Sequence, residues 1–232
     1  MAVRNTDTAI DCRAGLLSEP EYISQNRRAY DALSEKYDQR AAYKTSFEMA
    51  PSVLARVMVR HITTQEVPAT ILEIGPGSGE ALAYLETANY RTVAVELSPR
   101  IAEVARRRSP GSVVLVGNVL AVDFTREQFC GVYAGAVIHL FPLEDARRLL
   151  TKIYAWLRPG GVLLMNTTVH QQSEEGFYKK TDYGGITRFR RRWTEADLRI
   201  EVGRAGFCIR ERINSHEQDR GKVWVAFCAT RA

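Results

Sequence analysis

Five short apolar runs punctuate the middle of the chain: ATILEIG (69–75), RTVAVEL (91–97), SVVLVGN (112–118), GVYAGAVI (131–138) and GVLLMNTTV (161–169). Runs this short and this continuous predict parallel strands buried on both faces. Helical patterns separate them. Ser98-Pro99 supplies an N-cap and an N1 proline for a helix through Arg108, which Ser109-Pro110-Gly111 stops. Over 142–157, Leu143, Ala146, Leu149, Leu150, Ile153 and Leu157 recur at helical spacing before Pro159-Gly160-Gly161 turns the chain. Such β-α alternation predicts a doubly wound, Rossmann-like α/β sheet.

The two ends read differently. Thr194-Glu195-Ala196-Asp197 forms a capping box for a helix to Gly206, followed by FCIRERI (207–213) and KVWVAFCA (222–229) with no helix between them. Two strands joined this closely form an antiparallel hairpin. The expected sheet is therefore seven-stranded and mostly parallel, with one antiparallel strand near an edge. Upstream, residues 21–50 are helical and studded with aromatics, and Pro51 opens an amphipathic helix over 51–65 with Leu54, Val57, Met58 and Ile62 on one face. Residues 1–67 are thus expected as an N-terminal helical cap and 68–232 as the core. The long connection 170–193 is read as a lid-like loop within a single compact domain.

Composition narrows the class. With 232 residues, 45% hydrophobic and 25% charged, the chain can bury a substantial core. No stretch approaches 18 apolar residues, and MAVRNTDTAIDCRAG has no apolar h-region, so a cytoplasmic protein with neither membrane span nor secretory signal is expected. Cys12, Cys130, Cys208 and Cys228 lie far apart with no C-x-x-C pair, which argues against a disulfide framework, a zinc site or a redox motif and predicts buried thiols. A formal charge of +5 permits an anionic or nucleic-acid partner without demanding one.

The chemistry concentrates in Glu73-Ile74-Gly75-Pro76-Gly77-Ser78-Gly79, placed where the first strand gives way to a helix. Glycines there let the backbone approach a ligand closely, while the helix N-terminus offers free N–H groups. Glu80 stands where a dinucleotide binder needs its third glycine, so pyrophosphate is disfavoured. Glu73 suits a ligand's ammonium group, and Glu96, ending the second strand, suits the hydroxyls of a ribose.

The E-x-G-x-G-x-G loop, the second-strand glutamate and the alternating elements resemble the class I S-adenosylmethionine-dependent methyltransferases over roughly residues 68–232, in their small-molecule form. The resemblance implies that S-adenosylmethionine is the cofactor. It places Glu73, Gly75, Gly77 and Gly79 around the methionine moiety, Glu96 on the ribose, and Leu97 against the adenine. Asn118-Val119 takes the position where the family often has an acidic residue near the adenine amino group. Ala136-Val137 and His139-Leu140, after the fourth strand, face the methionine chain and the reacting centre. Tyr37 is similar to the tyrosine that covers the cofactor carboxylate in small-molecule members.

For the methyl acceptor the readings stay broader. His139 is the first candidate general base and His170 the second, though a histidine beside Leu140-Phe141 is equally a packed core group. Tyr30, Tyr37 and Tyr43 fit a helix stripe as readily as a pocket wall. The run Arg188-Phe189-Arg190-Arg191-Arg192-Trp193 reads as a solvated face, as a nucleic-acid contact, or as a source of cations such as Arg188 and Arg190 which, with Tyr178 and Tyr183, hold an anionic or carboxylate-bearing small molecule. No Asn/Asp-Pro-Pro-aromatic sequence, no Pro-Cys and no acidic pair follows the fourth and fifth strands. The expectation is therefore a metal-independent enzyme, monomeric or homodimeric, that methylates O, N or C of a metabolite or natural-product intermediate. An RNA or tRNA methyltransferase and a non-catalytic cofactor-binding regulator are the alternatives.

Overall fold

The computed structural model describes residues 19–40, 48–64, 68–180, 185–218 and 221–232. Three helices come first: α1 (Glu21–Ala32), α2 (Ser34–Arg40) and α3 (Pro51–His61). The alternation follows: β1 (Thr70–Ile74), α4 (Glu80–Thr87), β2 (Arg91–Glu96), α5 (Pro99–Arg108), β3 (Val113–Val116), β4 (Phe129–Gly135), α6 (Leu143–Trp156) and β5 (Leu157–Val169). A hairpin of β6 (Glu174–Lys180) and β7 (Ile186–Arg192) precedes α7 (Glu195–Arg204), and β8 (Phe207–Glu217) and β9 (Lys222–Arg231) close the described chain.

Seven strands form one sheet in the order β3-β2-β1-β4-β5-β9-β8. The pairs from β3 to β5 are parallel, and β9 runs antiparallel to both β5 and β8. The reversed strand is thus second from the edge, as the C-terminal hairpin requires. Central strands are buried because helices cover both faces: Leu72, Val132 and Leu163 pack in one apolar cluster and Ile71, Tyr133 and Leu164 in the other. The strand order reverses between β1 and β4, and in open α/β sheets ligands bind at the carboxyl ends of strands flanking such a point.

Local signals explain the helix starts. The Ser98 hydroxyl accepts from the Ile101 amide, and the Thr194 hydroxyl accepts from Asp197 at 3.0 Å. Thr194→Ala is expected to cost about 1 kcal/mol, read as a lower denaturant midpoint at unchanged slope, and Thr194→Ser to restore it.

Two expectations are corrected. Within the segment expected as a loop, Glu174–Lys180 and Ile186–Arg192 pair as antiparallel strands, with Phe177 opposite Phe189. Of the cysteines, Cys130 and Cys228 are buried as expected but Cys208 is exposed, because its side chain falls on the outward face of β8 at the sheet edge. Cys12 lies outside the described residues. No helix among the described residues is long and apolar enough to cross a membrane.

Candidate active site

A cavity of about 490 Å³ opens at the carboxyl ends of β1, β2, β4 and β5, within the range that accommodates a drug-sized ligand. Its floor is the β1–α4 loop. Gly75, Gly77 and Gly79 all have positive φ, which shapes a turn unavailable to most side chains. At Gly75 the reason is close packing as well, since a Cβ there would stand 2.6 Å from Val137 Cγ2. Gly79 is placed behind the loop, against the backbone of Ala105, and does not line the cavity.

Two buried carboxylates flank this floor. Glu73 is 2% exposed; its carboxylate accepts from the Leu82 amide, while Oε2 is buried without a partner among the described residues. Burial, and next the charge of Glu96, push its pKa up to about 8. Glu96 is pushed up to about 7 by burial, against the amides of Ser98, Gly77 and Leu97, which hydrogen-bond its carboxylate. The Ser98 amide donates to Oε1 at 2.9 Å. An orphaned carboxylate oxygen and a second acid held by loop amides fit a ligand that brings an ammonium group and a pair of hydroxyls.

The remaining wall is assembled from distant parts of the chain. Leu97, Asn118, Val119, Ala136, Val137 and His139 line the cavity, as do Tyr30 and Tyr37 from α1 and α2. Asn118 also accepts from the Leu120 amide and so caps the short 3-10 turn after β3. Ala136 is held at φ 54 by Asn166, whose carbonyl and Oδ1 both accept its amide. A positive φ at a residue other than glycine is strained backbone, here fixed from the neighbouring strand. His139 is 4% exposed, with Nδ1 3.2 Å from Thr167 Oγ1.

Apart from Tyr30, sequence reasoning missed the residues that build the roof. Asn26, on α1, accepts from the Phe189 amide at 2.9 Å and donates to the Leu140 carbonyl at 3.3 Å, joining α1 to β7 and to the turn that carries His139. Asp31 accepts from the Ser98 hydroxyl at 2.5 Å, tying α1 to the start of α5. Tyr22, Asn26 and Tyr30 recur every four residues, a stripe visible in the sequence although its partners are not. Trp224, Lys222 and Glu217 reach the cavity from the C-terminal hairpin.

Other expectations move. His170 does not line the cavity; it sits behind it, half-buried, with Nε2 3.2 Å from Thr168 Oγ1, and burial followed by the charges of Arg190 and Arg192 holds its pKa below the usual histidine value. Tyr178 does not line the cavity either; its ring lies 4.6 Å from the Arg192 guanidinium. Tyr178 stands opposite Arg188 and so on the same face of the hairpin, and His170 follows the end of β5. Tyr43 and Tyr183 lie outside the described residues. The arginine run is not an open basic face: Arg191 and Arg192 pair with Glu175 and Glu174 across the hairpin, and Arg188 and Arg190 enter the cavity.

Fold and site together are similar to those of S-adenosylmethionine-dependent methyltransferases. Residues 72–165 match the family model of the methyltransferase domain. The chain is 30% identical over 100 residues to a phosphoethanolamine N-methyltransferase of Plasmodium falciparum, a match covering 41% of this chain and 37% of that protein. It spans between 37% and 60% of the lengths of that enzyme and of two uncharacterized bacterial methyltransferases, from Alkaliphilus oremlandii and Oceanobacillus iheyensis. Among solved structures, it superimposes with a TM-score of 0.72 on the Burkholderia thailandensis 1,6-didemethyltoxoflavin N1-methyltransferase, which holds its substrate and S-adenosylhomocysteine. That match covers 100% of this chain and 98% of that one at 21% identity. A methyltransferase from Methanosarcina mazei matches with a TM-score of 0.64 at 17% identity, covering 75% and 96%. At these identities the structural likeness establishes the fold.

Proposed function

We propose that the chain transfers a methyl group from S-adenosylmethionine to an O, N or C nucleophile of a small organic molecule, a metabolite or natural-product intermediate, without a resident metal. The observation that carries this reading is the continuity of the cavity: one space runs from Glu73, Gly77 and Glu96 to His139, beneath α1 and β7. The Burkholderia neighbour, with 1,6-didemethyltoxoflavin and S-adenosylhomocysteine bound, supports a small acceptor. Among the described residues no three His, Cys, Asp or Glu side chains gather where they could hold a metal ion.

When bound, the cofactor supplies an electrophilic methyl group on a sulfonium. The protein's part is alignment and exclusion of water, effects that reach about 7–11 kcal/mol in favourable intramolecular models. Glu73 would hold the ammonium group and Glu96 the ribose hydroxyls; Gly75 and Gly77 let the backbone close in. The roof of Tyr22, Asn26 and Tyr30 keeps water from the reacting end. For an acceptor that carries a proton at neutral pH, His139 is the base. The Thr167 hydroxyl, 3.2 Å from Nδ1, orients the imidazole.

Calorimetric titration with S-adenosylmethionine, S-adenosylhomocysteine and NAD tests the reading. Binding of the first two alone is expected, and binding of NAD in their place would refute it. With a hydroxyl acceptor, His139→Gln is expected to lower kcat by about 10²–10⁴ at unchanged affinity for S-adenosylhomocysteine. A variant that retains full turnover removes His139 from proton transfer.

A further inference from the structure

We propose that Tyr133 and Asn166 form an oxygen subsite in the cavity, where a phenol hydroxyl and a carboxamide NH2 group together donate to a carbonyl oxygen of the methyl acceptor. The acceptor is then a neutral carbonyl compound, such as a lactam or an aryl ketone. This inference rests on the methyl-transfer reading above and names its substrate class. Tyr133, on β4, and Asn166, on β5, both line the cavity. Tyr133 is in register with Leu164 and Gly135 with Asn166, so side-chain alternation puts Tyr133 and Asn166 on one face of the sheet. Gly135 stands between them and carries no side chain.

Tyr133 is 2% exposed and Asn166 4%. Local geometry fixes both donors. A Cβ at Gly135 would stand 2.5 Å from Tyr133 Cε1 and 2.9 Å from its hydroxyl, so the ring lies along β4 in the place that a side chain would fill and carries the hydroxyl toward the strand's carboxyl end. Asn166 Oδ1 accepts from the Ala136 amide at 2.8 Å, and because that partner can only donate, the NH2 group is the half of the carboxamide left over. No described residue accepts from it, and none hydrogen-bonds the Tyr133 hydroxyl. Donors this deeply buried are normally paired, and a ligand oxygen supplies the missing partner to both.

The chemistry of the pair selects the oxygen. Both groups are uncharged, and burial, followed by the charges of Glu73 and Glu80, holds the Tyr133 pKa far above the usual phenol value, so the hydroxyl keeps its proton. A carboxylate there would sit against those two acids, whereas a carbonyl brings no charge. Arg188, Arg190, Lys222 and Glu217 also line the cavity, but each is engaged within the protein, by Tyr30, Thr168 and Trp224 among others. Met49 and Trp224 also line the cavity and pack in one apolar cluster with Tyr133, which gives the organic body of the acceptor its surface. One oxygen held by two donors in dry surroundings fixes the orientation of the acceptor, and transfer by alignment requires that.

The test is calorimetric titration of protein saturated with S-adenosylhomocysteine, using 2-quinolone, 2-pyridone and acetophenone against quinoline, pyridine and ethylbenzene, with benzoate as the charged comparison. At least one carbonyl compound is expected to bind, about tenfold or more tighter than its partner without the oxygen and tighter than benzoate. Tyr133→Phe is expected to weaken that compound about tenfold at unchanged affinity for S-adenosylhomocysteine, and to melt no lower than the wild type because it leaves no partner unpaired. Asn166→Asp keeps an oxygen for the Ala136 amide and replaces the donor by an acceptor, so a loss at least as large is expected. Carbonyl compounds that bind no better than their partners, tighter binding of benzoate, or a carbonyl affinity indifferent to Tyr133→Phe would each overturn the subsite. A loss in Tyr133→Phe that falls on S-adenosylhomocysteine instead would give the oxygen to the cofactor's own carboxylate and overturn the assignment to the acceptor. Failure of the wild type to bind S-adenosylhomocysteine would overturn the methyltransferase reading itself.

Discussion

Gly77→Val is expected to weaken S-adenosylhomocysteine binding by about 100-fold or more, a loss near 2.7 kcal/mol, while the protein still melts cooperatively. Gly77 has φ +57, a region that costs an L-residue about 1–2 kcal/mol. The free protein has room for the first added atom, since a Cβ would meet the Tyr37 ring at an ordinary 3.4 Å. The branched methyl groups, however, would stand in the bed where backbone must approach the cofactor, and the Gly77 amide that holds Glu96 would be displaced. Gly75→Val is different: at 2.6 Å from Val137 the substitution strikes packed structure, so loss of folding is expected there. Gly203→Ala, on α7 with nothing within 4 Å of the added atom, serves as control and leaves binding unchanged. Calorimetry and thermal melting on the three variants separate ligand clash from collapse. Wild-type affinity in Gly77→Val would mean that the cofactor lies elsewhere.

The glycine loop was legible because its determinants are local. Spacing of three glycines between a strand and a helix encodes its geometry, and Glu73 and Glu96 inherit their places from strand ends. The five core strands and the C-terminal hairpin were legible for the same reason, through continuous apolar runs and the absence of an intervening helix. The β6–β7 hairpin was not. EEGFYKK and ITRFRRR lack a clean apolar alternation, and the pairing of Glu174 with Arg192 and Glu175 with Arg191 becomes visible only once the register is known. Reading the segment as a loop let Tyr178 and His170 face the cavity, whereas neither lines it. Asn26, Asp31 and Asn166 escaped for another reason. Each is a single polar residue whose partners, Phe189, Ser98 and Ala136, are remote in sequence, and buried hydrogen bonds leave no periodic trace.

The second large effect concerns protons. Burial raises Glu73 to about 8 and Glu96 to about 7, both from an ordinary value of 4.5. A carboxyl whose folded pKa exceeds its unfolded one binds more protons in the native state, so its contribution to stability is complete at low pH and is lost as pH rises from 4.5 through the folded value. The cofactor-free protein is therefore expected to melt at progressively lower temperature from about pH 5 to pH 8, and Glu73→Gln to flatten that decline. Binding reverses the balance. An ammonium group beside Glu73 Oε2 favours the carboxylate, so the protein must release on the order of one proton as the cofactor enters near pH 7. Affinity for S-adenosylhomocysteine should accordingly rise between about pH 6 and 7.5, where the ligand's own α-amino group stays protonated. Titration calorimetry in two buffers of different ionisation enthalpy measures the proton directly. Glu73→Gln should abolish most of the release and lower the affinity, because a neutral amide offers the ammonium group no charge. Release that persists in this variant would assign the proton to Glu96, and an absence of release in the wild type would place the cofactor's ammonium group away from both acids.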